Sequence, residues 1–121
     1  MQNSVEVTDQ LSSKILFEAF KVQLAKDFEQ SNFDGDFIKD LEPGDSSIHE
    51  KIVDELHRSE KKADSHLMQL LNRIDISEAQ LQRYLFEHQN ENRLSTIGEL
   101  IIKRVLQKVV IKQHFKQSKN Q

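Results

Sequence analysis

The sequence predicts an all-α protein, an antiparallel bundle of four main helices. Three observations predict it. Three glycines and one proline in 121 residues are too few for the tight reversals of a β-sandwich or barrel. Apolar residues recur at three- and four-residue spacing through most of the chain. Helix-start chemistry, a serine followed three residues later by Glu or Gln, stands at Ser47 and Ser77. The length suits one helical domain over 9–116, with 1–8 as a flexible lead-in and 117–121 as a flexible tail.

The first helix is expected over 9–30, with Thr8 or Asp9 near its cap. At 100° per residue, Leu16, Phe17, Phe20, Leu24 and Phe28 gather on one side. Leu11, Ile15, Ala19, Val22 and Ala25 gather on the other, so this helix has two apolar contacts to satisfy. The connector 31–45 holds two glycines and the proline, with a short turn or helix near 36–41 pinned by Phe33, Phe37 and Ile38.

A second helix is expected over 47–73. Ser47 and Glu50 match a capping box, and Ile48, Ile52, Val53 and Leu56 form the core face. No helix breaker interrupts the span, although the polar stretch 57–66 admits a bend near 59–65. The third helix, 77–88, has the cleanest signal: Ser77 and Gln80 pair as a capping box, and Ile76 and Leu81 as a hydrophobic staple. It should bury Ala79, Leu81, Tyr84 and Leu85. The fourth runs over 94–115. Its β-branched residues at 109–111 lower helix propensity, which leaves a strand within 105–115 as the alternative there.

Composition excludes several functional classes. Without cysteine there is no disulfide framework and no thiolate zinc site. No apolar run approaches the ~18 residues of a membrane span. The N-terminal MQNSVEVTDQ has neither the basic nor the apolar region of a secretory signal, so the chain reads as cytoplasmic with no membrane partner. Net charge is −3, but it is unevenly spread. Residues 93–121 hold seven basic residues against Glu99 alone, a balance of +6, while 1–92 hold ten basic against nineteen acidic, −9. That split suits either an acidic partner or a last helix lying on its own acidic body.

Catalytic signatures are missing. No Gly-rich phosphate loop and no G-x-S-x-G elbow occurs, and His49, His57, His66, His88 and His114 lie scattered among mostly charged neighbours. Asp54 and His57 have the i, i+3 spacing of a di-metal ligand pair with Glu50 one turn earlier, but no second such pair exists. Aligning Gly35 with the glycine of a calcium loop puts Gln30 and Leu41 where Asp and Glu are required. The expectation is therefore no enzyme, no metal, no cofactor and no small-molecule substrate.

Two surfaces remain as candidates. Residues 67–85, LMQLLNRIDISEAQLQRYL, place Leu70, Ile74, Ile76, Leu81 and Tyr84 at apolar positions, Ser77 at a helix cap and Arg83 at a polar position. This stretch resembles the helix-turn-helix consensus of bacterial DNA-binding proteins. It departs from it with Leu71 at the small position of the first helix and Asp75 at the turn glycine. The resemblance implies nucleic-acid contact through Ser77, Gln80, Gln82 and Arg83, with the C-terminal lysines on phosphates.

The other surface is the last helix. Arg104, Lys108, Lys112 and Lys116 recur every fourth residue as a basic ridge, and Ile111 and Phe115 lie opposite Ile102, Leu106 and Val110. A basic ridge edged by apolar side chains suits docking on an acidic, partly apolar protein groove. The reading preferred is a protein–protein interaction module that binds a partner or a second copy of itself as a homodimer, with the nucleic-acid binder as its alternative.

Overall fold

The computed structural model describes residues 14–44, 47–59 and 65–119, and the side chains of all of these except 65 and 116–119. The lead-in 1–8, the expected start of the first helix, Leu11 and the end of the tail lie outside the described residues. The described residues form six helices: α1 Lys14–Gln30, α2 Asp36–Lys39, α3 Ile48–Arg58, α4 Ser65–Arg73, α5 Glu78–Glu87 and α6 Arg93–Lys119. The fold is all-α, as predicted. α6 is its spine: 27 residues, about 40 Å long, with α1, α3 and α5 packed along it. The β-branched residues at 109–111 are helical, because Val105, Leu106 and Val109 are buried in the core and packing overrides weak propensity.

α1 buries Phe17, Phe20, Leu24 and Phe28, one of the two sides expected of it. Its end is set by Asn32, which adopts φ 67 and lets Phe33 N–H donate to Phe28 C=O at 2.9 Å. That left-handed cap folds Phe33 back onto Phe28, ring centroids 5.6 Å apart. Lys21 then reaches over and donates to the carbonyls of Lys39 and Leu41, at 3.1 and 3.0 Å, holding α2 and its exit against α1.

The span 47–73 forms two helices. α3 stops at Ser59, whose hydroxyl donates to the buried Glu55 carboxylate at 3.2 Å. Arg58 also donates to Glu55 at 3.2 Å, and the backbone N–H of Asp34 does so at 3.4 Å. Glu55 thus ties the end of α3 to the connector, and α4 resumes at Ser65. The capping box expected at Ser47 does not form. Ser47 is the N-cap residue, but its ψ of 3° is not the extended conformation that aims a side chain back at the helix, and it makes no cap hydrogen bond.

Gly98 sits where α3 crosses α6. A Cβ there would lie 3.0 Å from Val53 Cγ2 and 3.4 Å from His49 Cδ2. His49 Nε2 in turn lies 2.7 Å from the Ser95 carbonyl. α6 continues to Lys119, four residues past its expected end.

Candidate interaction surface

The basic ridge of α6 is partly occupied by the protein itself. Lys108 is only 18% exposed; its ammonium donates to the Arg73 carbonyl at 3.2 Å and lies 3.6 Å from the Asp75 carboxylate. It therefore closes the C-terminus of α4, where unpaired carbonyls concentrate negative charge. Lys112 is exposed, yet it donates to Gln23 Oε1 at 2.9 Å and ties α6 to α1. Arg104 is half-buried, with one terminal nitrogen donating to Gln107 Oε1 at 3.2 Å. Two of the four ridge residues, Lys108 and Lys112, thus lean on the body, Arg104 bonds within its own helix, and the side chain of Lys116 lies outside the described residues.

The apolar half of the same surface is free. Ile111 and Phe115 are 52% and 64% exposed. On α1, Ile15 and Val22 are 72% and 69% exposed, while Ala19 and Ala25 are half-buried beside them. Val22 forms a rib between two shallow grooves. One, about 320 Å³, runs between α1 and α6 past Ala19, Gln23, Val109 and Lys112. The other, about 520 Å³, passes Ala25 and Ile38 toward α2. The second apolar sides of the first and last helices therefore face outward.

α4, a tight turn and α5 occupy the stretch that resembles a helix-turn-helix. Leu70, Leu71, Ile74, Ile76, Leu81 and Tyr84 are all buried. Asp75, at the consensus glycine, adopts φ 66, and Ile76 N–H donates to Leu71 C=O at 2.8 Å. Leu71 is the fully buried residue against which that cap folds, so it has a packing role at the position where the consensus is small. The capping box at Ser77 is complete: Ser77 Oγ accepts from Gln80 N–H at 3.1 Å, and Ser77 N–H donates to Gln80 Oε1 at 2.9 Å. Ser77 and Gln80 are thereby engaged in capping, while Gln82 and Arg83 are exposed. Ala79, expected in the core, is exposed, because at 100° per residue it falls opposite the Leu81–Tyr84–Leu85 face. Phe86 shares that outer side and is 72% exposed. The helical wheel already separates it from Leu81 and Tyr84.

No family model, no curated protein and no solved structure matches this chain.

A polar knot joins α5 to α6. Lys103 donates to the Tyr84 hydroxyl at 3.1 Å, pairs with Glu99 at 3.2 Å and sits over the Tyr84 ring. His88 stacks on the Tyr84 ring, with centroids 4.2 Å apart. Burial disfavours the phenolate and raises the Tyr84 pKa above its ordinary value, more than the Lys103 hydrogen bond lowers it. Burial also works against the Lys103 charge, but hydrogen bonds to Tyr84 and Glu99 outweigh it and hold the ammonium above its ordinary pKa. The i, i+4 spacings of Glu99 with Lys103 and of Tyr84 with His88 signal parts of this knot in the sequence, but not the bond that joins the two helices.

Histidines are less exposed than their charged neighbours suggest: His49, His66 and His88 are half-buried, while His57 and His114 are exposed. In the stretch Asp54–His57, the residue turned inward is Glu55. Among the described residues, no group of three His, Asp or Glu is placed to hold a metal ion.

Proposed function

We propose that this chain is a non-enzymatic helical interaction module that associates through the outer faces of its first and last helices. One observation carries the reading: Ile15, Val22, Ile111 and Phe115 are large, apolar and more than half exposed, all on α1 and α6. Scattered apolar side chains are ordinary on a surface, and Phe86 on α5 stands apart as one of them. But four of the five exposed in the described residues fall on two helices that pack against each other, which suits a docking face. The partner we assign is a second copy. A two-fold pair brings the same patch together from both sides. It also sets the +6 C-terminal segment of one copy beside the −9 remainder of the other.

Solution mass measured across concentration tests this. The native chain should reach the mass of a dimer, and Ile111→Asp with Phe115→Asp should return it to a monomer with unchanged helical circular dichroism. A native chain that stays monomeric, or a dimer indifferent to both substitutions, overturns the proposal.

The left-handed Asp75 and the capped α5 favour one alternative, a helix-turn-helix nucleic-acid binder contacting bases through Gln82 and Arg83. It requires duplex DNA binding that falls steeply with salt and is lost in Arg83→Ala. Glu78 and Glu87 on the same helix act against phosphate approach. An absence of binding at low salt eliminates it.

A further inference from the structure

The cleft between α5 and α6 has a different character from the apolar faces. It encloses about 330 Å³, within the range of small-molecule sites. Ile76, Leu100 and Tyr84 supply an apolar lining, and Arg83, Lys103 and Arg104 bring three positive charges to it. Glu87 lines it as well, and Glu99 pairs with Lys103, so the local balance is three cations against two carboxylates, +1.

Arg104 is the residue left incomplete. Gln107 accepts from one terminal nitrogen at 3.2 Å and orients the guanidinium, but Nε is buried and has no hydrogen-bond partner. Among the described residues neither Arg83 nor Arg104 has a carboxylate within ion-pair distance. Nε is shut off from the cleft by its burial, but Arg104 lines the cleft, and the terminal nitrogens of a guanidinium match a carboxylate in plane and spacing. A residual charge of +1 suits a monoanion, and the apolar lining suits a hydrocarbon body.

We propose that this cleft binds a monocarboxylate with a short hydrocarbon chain, its carboxylate on Arg104 and its chain against Ile76 and Leu100. The site is independent of self-association, since it uses neither Ile111 nor Phe115.

The chain carries its own reporter. Tyr84 is the only tyrosine and there is no tryptophan, so intrinsic fluorescence reads this cleft alone. Hexanoate should change that fluorescence saturably. Acetate, which keeps the charge and loses the chain, should bind at least about tenfold more weakly. Hexanol, which keeps the chain and loses the charge, should give no saturable change. Arg104→Gln should weaken hexanoate by at least about tenfold. Should that variant fail to fold, Arg83→Gln on the exposed rim serves instead, with a smaller loss expected in the same direction. The proposal is overturned if hexanoate gives no saturable change, if hexanol matches it, if the folded arginine variants bind hexanoate as the native chain does, or if inorganic phosphate binds more tightly than hexanoate.

Discussion

Gly98→Ala tests whether the α3–α6 crossing depends on a missing side chain. Two effects oppose each other. Alanine in a helix interior is favoured over glycine by about 1 kcal/mol. Against that, the new Cβ would meet Val53 Cγ2 at 3.0 Å, closer than carbon atoms pack. Val53 cannot easily turn away, since a β-branched side chain in a helix has one strongly preferred rotamer. His49 is the next neighbour at 3.4 Å, and its ring is held by the 2.7 Å contact with the Ser95 carbonyl. The helices must therefore separate slightly, an overpacking penalty of about 2 kcal/mol. The net expectation is destabilisation by about 1 kcal/mol, measured by urea denaturation. In a Val53→Ala background the obstructing methyl is gone, and Gly98→Ala should stabilise by about 1 kcal/mol, so the coupling between the two sites is about 2 kcal/mol. A stabilising Gly98→Ala in the native background, or no coupling in the cycle, refutes the reasoning.

Three further outcomes are expected. Lys108→Met removes the donor that closes α4 and should cost about 1 kcal/mol in the same denaturation assay, with most of the loss retained in high salt because a hydrogen bond to a carbonyl is being removed. Asp75→Ala should cost about 1 kcal/mol, whereas Asp75→Gly, which accepts φ 66 freely, should cost less than about half of that. The Tyr84 phenol, followed by tyrosinate absorbance, should titrate above 10.0, its ordinary value. Folding raises the pKa of both Tyr84 and Lys103, so their contribution to stability is complete below pH 10.0 and is lost as pH rises through the folded values. Thermal melts on either side of that pH check the direction.

Much of this architecture is legible in the residues. Ser77 with Gln80, the phase of Phe17, Phe20, Leu24 and Phe28, and the scarcity of glycine each point to one answer, because each is a local rule that tertiary packing has no reason to override. Where local and distant effects compete, the sequence falls silent. Ser47 and Glu50 have the same spacing as Ser77 and Gln80, yet Ser47 adopts a ψ of 3° where Ser77 is extended, and its box does not close. Lys108 reads as one member of a repeating ridge, and only the fold shows that the carbonyl of Arg73, 35 residues away, is its acceptor. The α5–α6 cleft is hidden for the same reason, since Arg83 and Arg104 share it only once the two helices are docked.

The charge asymmetry and the apolar excess meet at the end of α6. Through Val109 the helix buries residues on the core side, and Val110 is the last of its side chains found against the core. The helix nevertheless continues to Lys119, nine residues further, or about 13 Å. A helical extension without packing gains little in water, because helices owe most of their stability to burial of an apolar face. Ile111 and Phe115 give this extension such a face, and nothing in the described fold covers it. The extension therefore has the composition of a packed helix and the position of an unpacked one. The proposed second copy would resolve that mismatch by supplying the missing apolar surface, and its acidic remainder would supply countercharge for lysines that follow Glu99 without a single acid among them.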